Sequence, residues 1–137
     1  GRVHRVAQRS RTTSSPPTQP EHLHMAQQLA RAVRLFIIAC PYVVAVHDLV
    51  TKIRIELQRG YFVDLYYNET LGKYAYTLIA QDRRVIGWDN ARHHPGLANF
   101  PHHFHCEDGR VEPSTLTGEP EHDIMVVVAA VNAILRR

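Results

Sequence analysis

Five histidines, His93, His94, His102, His103 and His105, fall within thirteen residues. Ten histidines scattered at random over 137 residues would place about one there, so the clustering asks for a chemical cause. Both His-His pairs adjoin a proline, Pro95 after the first and Pro101 before the second. Proline fixes one backbone angle, so the imidazoles are expected on stiff turns. Imidazole titrates near neutral pH, so one ring can accept a proton while another donates one. Metal-independent RNA cleavage needs that pairing: a base for the ribose 2′-OH and an acid for the leaving 5′-oxygen. Arg92 or Lys73 would stabilise the phosphorane charge, and Asp89 and Asn90 could orient an imidazole or fix its tautomer.

The same residues allow a metal site. Imidazole suits zinc and other divalent transition ions, and a set drawn from His94, His103, His105 and Asp89, or including Cys106, could complete a tetrahedron. The spacing H-H-x-H matches neither H-E-x-x-H nor a C-x-x-C pair. No cofactor is expected under the first reading, and zinc or a similar ion under the second. A third reading is structural: histidines beside prolines can cap loops or stack on Trp88, Phe100 and Phe104. The cluster would then shape a surface for a partner without catalysing anything. Lys73, Tyr76 and Trp88 are the expected substrate contacts, a cation for phosphate and rings for bases.

The elements around the cluster follow from periodicity. A helix is expected from Pro20 or Glu21 to Cys40, with Ala26, Leu29, Ala30, Val33, Phe36, Ile37 and Cys40 on one face. Pro41 ends it. Strands are expected over Tyr42–Val50, Lys52–Leu57, Tyr61–Tyr67, Tyr74–Ala80 and Val85–Trp88, joined by short turns as an antiparallel meander. Asp64, Glu56 and Glu69 read as solvated charges, and His47-Asp48 as an ordinary strand dipeptide. From Asp89 to Gly118 no period is visible, so a long histidine-rich loop is expected. A last helix starts near Pro120 and buries Ile124, Val127, Val128, Val131, Ile134 and Leu135. The fold class is α+β: an N-terminal helix, a four- to five-stranded meander, the loop, and a C-terminal helix. Both helices are expected on one sheet face, leaving the other open.

Composition narrows the function. No run approaches the roughly 18 apolar residues of a membrane helix. Two cysteines do not make a disulfide scaffold. The net charge of +3 suggests nucleic acid, but Arg2, Arg5, Arg9 and Arg11 lie in residues 1–20 with no acid beside them. Subtracting these four leaves −1 for the remaining 117 residues, so any contact with nucleic acid must be local. The local cations are Lys73, Arg83, Arg84 and Arg92. Residues 1–20 read as a disordered basic tail, and 21–137 as one α+β domain. The tail is expected to be upstream sequence ahead of a start at Met25, with an organellar targeting segment as the alternative.

One resemblance is specific. The run Trp88-Asp89-Asn90, His93-His94-Pro95, Phe100-Pro101-His102-His103, His105 and Val111-x-Pro113-Ser114 resembles the TumE-type family of prokaryotic toxin–antitoxin proteins. Lys73-Tyr74-Ala75-Tyr76 is similar to that family's x-Y-x-Y strand. The resemblance covers about Met25 to Arg137, with departures at Gly87, Arg92 and Asn99. It implies a small cytoplasmic toxin neutralised by a cognate antitoxin. Ribonuclease activity comes from the histidine chemistry and from how such toxins commonly work. The expected partners are the antitoxin and RNA, with a homodimer as a further expectation and no membrane.

Overall fold

A computed structural model describes Arg2–Val3 and residues 20–137, with side chains from Gln27 onward. Most of the expected tail therefore lies outside the described residues. Helix α1 runs Pro20–Ala39. It is followed by β2 (Val43–Asp48), β3 (Ile53–Leu57), β4 (Tyr61–Asn68), β5 (Lys73–Ala80) and β6 (Arg83–Asp89), then β7 (His103–His105), β8 (Val111–Pro113) and helix α2 (Pro120–Leu135). Arg2–Val3 forms β1, a two-residue strand on the edge of β2. All strands are antiparallel and neighbour in chain order, so β2–β8 form a seven-stranded meander. The expected architecture stands, and the sheet is larger than four or five strands because the histidine loop itself supplies β7 and β8. Among the described residues, no helix is long and apolar enough to cross a membrane.

Alternation along the strands builds one core. Ile55, Val63, Leu78 and Ile86 face one another across four strands, and all are buried. Leu65, Tyr76 and Trp88 make the next row. Both helices close over this face, contributing Ala32, Val33 and Phe36 from α1, with Cys40 just after it, and Ile124, Val127, Val128, Val131 and Leu135 from α2. The buried stripe of α1 is rotated from the expected one: Ala30 and Ile37 are exposed, and Ala32 takes their place. The cause is α2, which packs against the Arg31–Ala39 part of α1, so the helix serves two neighbours. Arg31 meets Glu121 at one end of that pairing, and Asn132 donates to the Ala39 carbonyl at the other.

Two polar anchors hold the helix ends. Fully buried Asp123 accepts from Thr117 N, Thr117 Oγ1 and Gly118 N at 2.7–3.0 Å, fixing the chain that enters α2. Arg59, at φ 60° in the turn before β4, donates to the Leu135 carbonyl at the end of α2. Asp64 corrects an expectation. It is buried rather than solvated, because cross-strand Arg54 forks onto it at 2.8 and 3.0 Å and Lys52 adds a contact at 2.9 Å.

Candidate functional site

The strand pairing of β6 with β7 assembles the centre. Asp89 lies opposite His103, and Gly87 opposite His105. Side chains two apart on a strand share a face, so Asp89, His103 and His105 stand together on the face the helices leave open. Phe104, between the two histidines, turns to the core and tilts against Trp88 at 5.0 Å between centroids. The Asp89 carboxylate bridges the pair: Oδ1 lies 3.0 Å from His103 Nε2, and Oδ2 lies 3.0 Å from His105 Nε2. The Ala91 N–H donates to Oδ1 as well, at 2.9 Å. On its other side, His103 Nδ1 meets the Pro101 carbonyl at 3.1 Å. The rings of His94 and His103 meet edge to face at 4.8 Å, and His93 stands beyond His94 at 6.4 Å.

These residues line an open cleft of about 740 Å³. His103, only 2% exposed, lies at its base, while His93 is exposed. Lys73, Arg84 and Arg92 line the same cleft, and Asp89 is the one carboxylate among its lining residues. None of the three cations pairs with a carboxylate among the described residues. Arg92 packs over the Phe100 ring at 4.7 Å instead. Burial and the Arg84 charge push His105 below the usual imidazole range, opposed by its bond to Asp89. The domain lacks an overall positive charge, but the cleft has a local one.

Several expected site residues are placed elsewhere. His102 precedes His103 on the chain and points the other way, where its Nδ1 meets Tyr74 Oη at 2.8 Å and the rings stack. Tyr76 and Trp88 are buried beneath the helices, 1% and 4% exposed. Asn90 lines the cleft, but among the described residues no hydrogen bond joins it to an imidazole. It accepts from the Tyr74 N–H and donates to the Gly72 carbonyl, clamping the β4–β5 turn beside the cleft. Cys106 is not among the donor cluster that the described residues form. The sequence predicts that Pro101 stiffens the turn but not that its carbonyl holds His103, and among the strand tyrosines Tyr66 is the one on the open face. Tyr66 carried a signal, since it breaks step with Tyr61, Tyr67, Tyr74 and Tyr76 once the register is known.

The family model described as Toxin TumE matches residues 34–135, which span all of β2–β8 and α2. Comparison with curated proteins and with solved structures returns no match.

Proposed function

The chain belongs to the TumE toxin family, and on that premise we propose that it is the toxin of a toxin–antitoxin pair and cleaves RNA by histidine acid–base chemistry in the cleft. One observation carries this reading. A carboxylate-anchored imidazole pair and a loosely held imidazole, His94, share a cleft with three cations that lack carboxylate partners. Asp89 orients His105 as a triad carboxylate orients its histidine, and the depressed pKa keeps that ring neutral and able to take a proton near pH 7. His105 is assigned the 2′-OH proton, and His94 the protonation of the leaving 5′-oxygen. The 2′-oxygen forms a bond to phosphorus as the bond to the 5′-oxygen breaks. Lys73 and Arg92 meet the charge gathered on the phosphoryl oxygens.

The test is cleavage of a single-stranded RNA by purified protein in EDTA, read by gel and by the termini produced. His94→Ala and His105→Ala should each lower the rate by about 10²–10⁴-fold. Full activity in both variants, or none in the parent protein, overturns the reading.

A second reading is favoured by His103. A neutral imidazole has one N–H, yet both ring nitrogens face acceptors, Pro101 O and Asp89 Oδ1. A second positive species satisfies that geometry. It is either a proton, giving an imidazolium paired with Asp89, or a metal ion on Nε2. Donor atoms of Asp89, His103 and His105 lie within 4.8 Å of one another, and an N–H held by a backbone carbonyl is what a metal-binding histidine commonly has behind it. Elemental analysis of purified protein separates the two. Near-stoichiometric zinc, with cleavage lost on chelation and restored by zinc, would replace the metal-free mechanism.

A further inference from the structure

We propose that Arg84 is the phosphate-binding arm of the cleft, brought beside His105 by a bulge at Val85 and by the bare backbone of Gly87. The substrate assigned to this arm rests on the RNA reading above, whereas its affinity for a phosphate group does not.

The first observation is register. Leu78 pairs with Ile86, but the next residue of β5, Ile79, pairs with Arg84. One step on β5 thus spans two on β6, and Val85 is the extra residue. A bulge bends the strand and re-aims the side chains on one side of it. Unbroken alternation would put Arg84 on the face of Ile86 and Trp88, which is the core. The bulge moves it to the face of Gly87 and Asp89, while Val85 joins the core with Ile86.

The second observation is the space Arg84 occupies. Gly87 sits on the open face between Thr77 and His105. A Cβ added there would lie 3.1 Å from Arg84 Cδ and 3.3 Å from the Tyr76 carbonyl oxygen. The aliphatic stem of Arg84 therefore passes over Gly87. The stem can move aside but the backbone oxygen cannot, so a larger residue at 87 displaces the arm.

The third is charge. Arg84 lines the cleft with Asp89, His103 and His105. No carboxylate among the described residues pairs with it, whereas Arg54 on the same face is forked onto Asp64. A guanidinium presents two parallel N–H donors, the geometry that grips two phosphoryl oxygens.

Inorganic phosphate is titrated into the full chain while the His105 ring resonances are followed by NMR. A 2′-deoxy oligonucleotide, which cannot be cleaved, is titrated in parallel. Arg84→Gln should weaken phosphate affinity about tenfold or more, with Arg84→Lys intermediate. Gly87→Val, titrated at a temperature where its thermal melt shows it folded, should weaken it similarly and should add nothing in the Arg84→Gln background. That non-additivity separates displacement of the arm from a general disturbance of the sheet. Phosphate binding in Arg84→Gln equal to the parent, or no binding by the parent, overturns the proposal. Phosphate binding without any RNA cleavage overturns the function proposed above and leaves the arm standing.

Discussion

The two faces of this sheet use the same strands for different purposes. On the helix-covered face the row Ile55, Val63, Leu78 and Ile86 is apolar and buried throughout. One residue along, the row on the open face reads Arg54, Asp64, Thr77, Gly87 and His105. The first row answers to volume, since close packing penalises any cavity. The second answers to the placement of charge, with one stretch neutralised by Arg54 and Asp64 and the other left cationic around Asp89. A rigid, apolar underside is what lets the upper side hold imidazoles in fixed positions.

The largest effect that would break this comparison comes from exchanging the two kinds of damage. Asp89→Asn removes the charge that both imidazoles share and should lower RNA cleavage by about 10²–10⁴-fold, with the thermal transition little moved. Phe36→Ala, under the sheet and fully buried, should cost about 3–5 kcal/mol and affect cleavage only through the unfolded fraction. Circular dichroism melts and cleavage rates on both variants check this. An Asp89→Asn protein as destabilised as Phe36→Ala would mean that the two faces are not separable.

A sharper version uses two consecutive residues. His103→Phe should lower cleavage by about 10²-fold or more, because the ring at the base of the cleft can no longer hydrogen-bond Asp89, which orients His105, or Pro101. His102→Phe keeps the stack on Tyr74 and should stay within about threefold of the parent rate, losing one hydrogen bond worth about 1 kcal/mol of stability. Equal losses of activity from both changes would contradict the sorting of the pair onto opposite faces.

That sorting marks where sequence reasoning succeeds and where it stops. The helices and β2–β6 are long enough to display their periods, and their boundaries match to within a few residues. β7 is three residues long and flanked by Pro101 and Gly109, too short to show alternation. His102 and the strand His103–His105 after it nonetheless alternate, with stacking rings on one side and site imidazoles on the other. Histidine serves both environments, so residue type could not separate them. Composition located the cluster and strand geometry divided it. Arg84 is legible as one of the local cations, but its facing was hidden for a different reason: a bulge reverses parity, and its only trace in the sequence is the apolar pair Val85-Ile86. The Asp64 network depends on register between strands, which one strand's pattern does not reveal.

The smallest predicted effect is the one most specific to the two faces, because they should fail at opposite ends of the pH scale. On the open face, burial raises the Asp64 pKa, but hydrogen bonds from Arg54 and Lys52 outweigh it and hold the carboxyl below its usual 3.8. His105 is depressed below 6.5 by burial and by Arg84, against Asp89 and with His103 adjacent. Both groups bind protons more readily in the unfolded chain, so stability falls with pH, first below 6.5 and again below 3.8. On the core face, burial and the Asp123 charge push the Tyr74 and Tyr76 hydroxyls well above their usual 10. The folded state then keeps protons that the unfolded chain releases, so stability falls as pH rises above 10. Urea melts across the pH range should therefore show a plateau between these limits. Tyr76→Phe should lessen the alkaline fall, leaving the part due to Tyr74, and leave the acid side unchanged. It should do so at little cost near neutrality, since the Tyr76 hydroxyl is buried without a hydrogen-bond partner among the described residues. An alkaline fall that survives Tyr76→Phe undiminished would place its source outside this buried tyrosine and undo the assignment of that limb to the core face.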